Sequence, residues 1–465
     1  MSNRDLPKHR VQNRAVKLGS KLSLRRRLAL LGCSVGAIVL AVVVLLNLFG
    51  DAILNSYGKR KAERAFATAH PGAVLRIGKL DYSVVANRLV AQSVTLGATH
   101  ATLKVDRIAL TGVRWAQVLW GKTTLADVLA QASLDATNLN AEFPEAHYGL
   151  HCARLQASVP DSKLIAEATA LRTLAGDEAF FAAHEFRTTR FHLVVPECKV
   201  LGLAYRELLQ GKSYRARAIR FSRPSCDALV NPDKPVDPFE TLPLMVHEAL
   251  AAIRQPLQVD SLSITNGHLT YSETGLPAAA PGVLTFGGVS MFIQGIANRG
   301  DAAATIRLRA QGNLMDAGTL KVLMFIPITP QDFSFHYSGS LSAMDLTRLN
   351  AFLEIAEHIR ITSGRAHETA FEINVTAGQA RGRVWGIYEN FEIAILDPKT
   401  GAETRLDNRV TSFVANLFKF RSSNTPDASD SMKVGNVDYT RKPEEGFLRF
   451  AWYALRSGVM DVISY

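Results

Sequence analysis

The chain has 465 residues, 47% of them hydrophobic and 20% charged, with a formal net charge of +11. Nine bases (Arg4, Lys8, Arg10, Arg14, Lys17, Lys21, Arg25, Arg26 and Arg27) and one acid, Asp5, precede residue 28, so the rest carries only +3 and lacks the cationic field that nucleic acid needs. A body of this size can bury a large core, in one or two folded units, without metals or many disulfides.

Leu28 to Phe49 is apolar and uncharged, with only Ser34 and Asn47 as polar side chains. Roughly 20 residues at ~1.5 Å each cover a ~30 Å hydrocarbon core, so a membrane-spanning helix is predicted over 28–49. The run exceeds a signal peptide's apolar core, and Asn47-Leu48-Phe49-Gly50 offers no small-x-small cleavage site. Nine preceding bases outnumber Lys59, Arg60, Lys61 and Arg64, which places the basic tail, residues 1–27, in the cytoplasm and the body outside it. Asp51 to His70 continues in helical style until Pro71-Gly72 stops it.

From there the period changes to two. Thr305 to Ala310 alternates, as do Phe333, Phe335 and Tyr337 against Asp332, Ser334 and His336, and Phe371, Ile373 and Val375 against Glu372, Asn374 and Thr376. Further strands are expected at Val74 to Tyr82, Arg88 to Leu96, Ala101 to Leu110, Ala132 to Phe143, Phe191 to Val195, Tyr214 to Phe221, Val259 to Tyr271, Leu284 to Ile296 and Phe391 to Leu396. The body therefore reads as mainly β. Short helices are expected at Trp115 to Trp120, Lys163 to Arg172, Tyr205 to Gln210, Phe239 to Arg254, Leu346 to Ile359 and Arg409 to Phe420. Pro224, Pro232, Pro235 and Pro238 mark a boundary near 235 between two halves, 50–235 and 236–445. The last segment, 446–465, holds an amphipathic helix from Phe447 to Ile463 rather than a second span, and it suits docking on the body better than lying on a membrane surface.

Motifs for chemistry are weak. Ala116-Gln117-Val118-Leu119-Trp120-Gly121-Lys122-Thr123 fits a relaxed phosphate loop, but its bulky apolar residues cannot wrap a phosphate. His147, His151 and Cys152 have a helical metal-ligand spacing that Pro144 and Gly149 contradict. His184-Glu185 lacks a second His four residues on, His247 stands alone, and Glu372, Glu389 and Glu392 read as wet-face strand residues. No catalytic, cofactor or metal residues are assigned, and the chain is not expected to be an enzyme. Cys152, Cys198 and Cys226 leave room for one disulfide and one thiol, without fixing the pair.

Several stretches resemble one family. They are Ile77-Gly78-Lys79-Leu80-Asp81-Tyr82, Leu110-Thr111-Gly112-Val113, Val118-Leu119-Trp120-Gly121-Lys122, Leu262 to Tyr271 with a turn at Asn266-Gly267, Ile361-Thr362-Ser363-Gly364, Gly382 to Tyr388, Val414 to Lys419 and Val437 to Arg441. The pattern is similar to the AsmA-like proteins of the Gram-negative envelope, in their functionally uncharacterised subgroup. The resemblance implies a long, strongly curved antiparallel sheet with an apolar concave groove, clasped by a few short helices and anchored in the inner membrane with a periplasmic body. It implies phospholipid acyl chains as ligands, shielded at about 0.8 kcal/mol per CH₂. Phe333, Phe335, Tyr337, Phe371, Ile373 and Val375 are the expected groove lining. The alternative is a non-catalytic envelope assembly protein that binds other envelope proteins and whose apolar face is a filled core.

Overall fold

The computed structural model describes residues 59–83, 86–114, 124–237, 244–275, 280–300, 304–328, 333–397, 400–403, 420–429 and 431–465. The expected span at 28–49, the phosphate-loop-like 116–123 and the helix expected at 409–420, apart from Phe420, lie outside them. Among the described residues no helix is long and apolar enough to cross a membrane.

Helix α1 (Lys59–Ala69) buries Phe66 and ends before Pro71, as its sequence requires. It guards the first sheet edge: Ile77 N–H donates to Glu63 Oε1 at 2.9 Å and Lys59 Nζ to the Gly78 carbonyl at 3.2 Å. The strands of the first half are β1 (Val74–Ser83), β2 (Arg88–Ala98), β3 (Ala101–Thr111), β4 (Ser133–Phe143), β5 (Tyr148–Ser158), β6 (Lys163–Thr173), β7 (Thr189–Leu201), β8 (Tyr214–Ser222) and β9 (Ser225–Val230). Those of the second are β10 (Leu257–Glu273), β11 (Gly282–Ala297), β12 (Thr305–Leu314), β13 (Gly318–Pro327), β14 (Phe335–Leu341), the two-residue β15 (Met344–Asp345), β16 (Ile359–Thr376), β17 (Gln379–Ile395) and β18 (Gly435–Thr440). Short helices α2 (Leu125–Val128), α3 (Asp177–Ala182), α4 (Tyr205–Leu209), α5 (Val246–Ala251) and α6 (Asn350–Ala356) sit between strands, and α7 (Phe447–Ile463) closes the fold.

All 18 strands belong to one sheet. Neighbours pair antiparallel in chain order from β1 to β7, β7 pairs with both β8 and β9, and the antiparallel series resumes from β10 to β18. The expectation of a wholly antiparallel sheet needs one correction, because β10 runs parallel to β8 and β9. After Val230 the chain crosses back through α5 to start β10 beside Tyr214, the return a parallel pair demands. Residue 235 falls in this crossover, and the sheet passes it unbroken.

Three further differences have local causes. Lys163 to Arg172 is strand β6, although its Ala and Leu favour a helix, because β5 and β7 supply ladders on both sides. Asn266-Gly267 does not reverse the chain. Asn266, at φ +53°, forms a bulge inside the 17-residue β10, and pairing continues on either side of it. On β2, β4 and β6, Ser93, Asn138 and Ala168 lie in the left-handed region (φ +52°, +50° and +47°), at aligned positions where the ladders skip one pair. The buried phase therefore shifts by one, from Leu89 and Ala91 to Val94 and Leu96 on β2, and from Ala136 to Leu139 on β4.

Candidate functional site

Strand register assembles a surface that no single segment displays. One row of cross-strand partners begins Leu80, Ala91, Ile108, Ala136 and Leu155 on β1 to β5. It continues as Ala166, Cys198, Phe221, Ile264, Met291 and Ala310 on β6, β7, β8, β10, β11 and β12. Val322, Gly339, Phe371, Val384 and Gly435 complete it. The row two residues away holds Leu164, Val200, Ile219, Leu262, Ile293 and Leu308 on the same six middle strands. It ends in Met324, Tyr337, Ile373, Gly382 and Val437. None of these positions is charged. The row between them, on the opposite face, carries Asp135, Lys199, Arg220, Arg309, Glu372 and Arg383. Along these rows one face is apolar, and the other mixes these charges with Ile165, Phe292 and Leu323.

The apolar face is fully buried at its ends and partly buried in the middle. At β1 to β5 the first row is buried, with Phe66 of α1 and Val128 and Leu129 in the same cluster. At the far end α7 lies on the sheet, burying Phe450, Ala454 and Val462 among residues of β14 to β18. Its backbone approaches the strand so closely that a Cβ on Gly435 would stand 2.1 Å from the Gly458 carbonyl, and one on Gly458 would stand 2.6 Å from Val384 and Val437 methyls. Tyr337 Oη donates to the Ala451 carbonyl at 2.8 Å, Asn436 N–H to Asp461 Oδ2 at 2.7 Å, and Arg456 Nη2 meets Glu357 Oε2 at 3.2 Å. Between these caps, all twelve positions on the six middle strands are half-buried.

The six expected lining residues do come together on the apolar face, but under the α7 cap. Phe335, Tyr337, Phe371, Ile373 and Val375 are buried and Phe333 is partly so. Ring centroids lie 5.0 Å apart for Phe335 and Phe447, and 5.5 Å for Phe333 and Phe450. His247 of α5 stacks on Phe333 at 6.0 Å. These residues are core of the closed end rather than accessible lining. Sequence reasoning missed the middle positions, although Ile219, Leu262, Ile293 and Leu308 each alternate within their own strands.

The other candidates are dispersed. His151 binds Asn140 at an exposed position while neighbouring Cys152 is buried on the apolar face, and His147 packs against His184 at 5.1 Å. Glu389 meets His367 at 3.0 Å, and Glu372 and Glu392 face Arg383 and Ser363 across the ladder. Among the described residues no group of three or more His, Cys, Asp or Glu is gathered to hold a metal ion. All three described cysteines are free thiols. Cys152 and Cys198 pair with Thr169 and Ala166 on opposite sides of β6, two strand spacings or roughly 9.6 Å apart even before that three-residue offset, beyond disulfide reach. Cys226 lies opposite Leu193, five residues or about 17 Å along β7 from Cys198. Burial pushes the Cys198 thiol up to about 11. Arg190, 4% exposed, donates to Asp227 at 2.6 Å and to Asp177 at 3.1 Å, fastening α3 to β7 and β9. Two concavities, of about 430 and about 260 Å³, lie around Arg307 and His336, where Phe335 and Val375 also line the wall, and around Lys321 and His367. Among the described residues the apolar middle forms a partly buried seam along the sheet.

The sequence matches no family model and no curated protein.

Proposed function

We propose that the chain is an AsmA-like, inner-membrane-anchored envelope protein whose periplasmic β-body shields and moves phospholipid acyl chains for lipid homeostasis, and that it is not an enzyme. The observation that supports this reading is the middle of the apolar face, twelve partly buried positions in register on six strands with no charge among them. Each backbone group there is spent in the ladder, so the surface offers dispersion and dehydration but little hydrogen bonding, which suits hydrocarbon. The uncharged run at 28–49, a few residues before α1, would hold the body at a bilayer, and curvature of the sheet would make the seam concave.

The test places a benzophenone side chain at Leu262, on the seam, or at its neighbour Ser263, on the other face, in cells labelled with radioactive phosphate. Irradiation should give a labelled adduct at Leu262 and none at Ser263. Cross-links from Leu262 to protein alone would favour the assembly-protein reading.

A further inference from the structure

We infer that the polar face of β11 to β14 is a docking surface for an acidic protein segment that carries an apolar anchor. The surface lies on the opposite face from the seam and is independent of the lipid reading.

Register builds it. Three cross-strand rows over these four strands read Gln294, Arg307, Phe325 and His336; Phe292, Arg309, Leu323 and Ser338; and Ser290, Gln311, Lys321 and Ser340. The block measures about 14 Å each way, and its positions hold three bases and no acid. Arg307, Arg309 and Lys321 are exposed, and among the described residues none of them forms an ion pair. By contrast Arg154 and Lys199, on the same sheet, each hold a carboxylate, that of Asp135 or Glu197. Glu372 and Glu368 border the block on β16 without pairing to these bases. Next to the bases, Leu323 and Phe325 are 42% and 40% exposed, and Arg309 lies over the Phe292 ring at 5.7 Å. Beside Phe325 the concavity of about 430 Å³, walled by Arg307, His336 and Asn374, has room for one anchoring side chain.

Chemistry selects the occupant. Unmatched guanidinium groups favour carboxylates, and Arg307 and Arg309, two residues apart on one face, stand about 7 Å apart, the spacing of alternate side chains in an extended segment. The exposed Leu323 and Phe325 favour an apolar side chain among those carboxylates, and Arg beside an aromatic ring is a pairing that carries binding energy at protein interfaces. A bilayer surface is a poorer match, because more than half of Leu323 and Phe325 is already packed into the sheet face and neither can reach past the headgroups. Nucleic acid is poorer still, since three bases around an apolar centre supply no track for a phosphate backbone.

The probe is a fluorescent glutamate-rich peptide with one central phenylalanine, titrated by anisotropy onto the full chain in discs of zwitterionic lipid. Arg307→Glu with Arg309→Glu should weaken binding about tenfold or more, and Leu323→Ser with Phe325→Ser about threefold or more. Arg76→Glu with Lys104→Glu, the same charge change at exposed positions on β1 and β3, should leave it unchanged. Urea midpoints confirm that each variant is folded; if the Arg307 and Arg309 reversal is not, Arg307→Gln with Arg309→Gln should still weaken binding about threefold. No binding by the wild type, equal loss in the β1 and β3 variant, or equal binding of a peptide lacking the phenylalanine would overturn the proposal. Anionic vesicles or single-stranded DNA released by the Arg307 and Arg309 reversal, with peptide binding unaffected, would overturn the choice of a protein partner.

Discussion

Aspartate at Leu262 and at Ile373 should have opposite consequences, although both residues stand in the same cross-strand row. Ile373 is 0% exposed beneath α7. Removing its side chain costs about 2–5 kcal/mol in transfer and cavity terms, and an unpaired buried carboxylate adds several more. The sum reaches the ~5–15 kcal/mol that stabilises a typical domain, so Ile373→Asp should not accumulate folded. Leu262 is partly buried on the seam, so its substitution forfeits roughly 1–2 kcal/mol of burial, and a carboxylate there should keep part of its hydration. A loss of about 1–2 kcal/mol moves a urea midpoint by about 1 M or less at ordinary denaturant slopes. Pulse proteolysis across a urea series reads both variants in the full chain. If Leu262→Asp behaved like Ile373→Asp, the middle of the apolar face would be a closed core and the reasoning would fail.

Other expectations follow from the caps and the buried polar groups. Phe450→Ala should cost about 3–5 kcal/mol and release amide exchange throughout α7, whereas Leu448→Ala, at a position 78% exposed on the same helix, should stay within about 0.5 kcal/mol. Gly458→Ala should cost about 1–3 kcal/mol through overlap with Val384 and Val437, detected as faster exchange in α7 and β18. Neutralising both Asp177 and Asp227 as Asn leaves buried Arg190 without a counter-charge and should cost about 3–5 kcal/mol in urea, with a double-mutant cycle giving the coupling. Burial raises the Tyr337 and Tyr205 phenols above their ordinary value, so the unfolded chain loses these protons first as pH rises. Stability should then fall above about pH 10, by up to about 1.4 kcal/mol per pH unit for each phenol, and Tyr337→Phe should flatten the slope. Cys198, its thiol pushed up to about 11, should be alkylated at pH 8 far more slowly than a free thiol in unfolded chain.

What was legible in the sequence is what a single strand or helix displays by itself. Phe371, Ile373 and Val375 keep one phase without interruption, and their pairing with Phe335 and Tyr337 follows from it. The stripe of Phe447, Phe450, Ala454, Gly458 and Val462 likewise announces an apolar helix face, and α7 spans Phe447–Ile463 as expected. Which surface that stripe covers is a tertiary matter, and for this reason the expected lining residues proved to be capped core. The aligned left-handed residues Ser93, Asn138 and Ala168 were hidden because each resets the alternation of its own strand. Lys163 to Thr173 shows the limit of propensity, since its helix-forming Ala and Leu are overruled by ladders on both sides. The seam needed the full register, because its residues come from six strands scattered between Lys163 and Leu314.

The proposal that the partly buried apolar stretch holds lipid is tested most directly by counting phospholipid on the full chain. Wild type and the Leu262→Asp, Ile293→Asp double variant, verified as folded by its urea midpoint, are extracted without detergent into polymer discs and their bound lipids quantified by mass spectrometry. Lipid held elsewhere on the chain is common to both, so the difference reports the seam alone. The wild type should carry about one more phospholipid per chain than the variant. Equal lipid on two folded chains would contradict the account and leave an apolar face whose partner is protein.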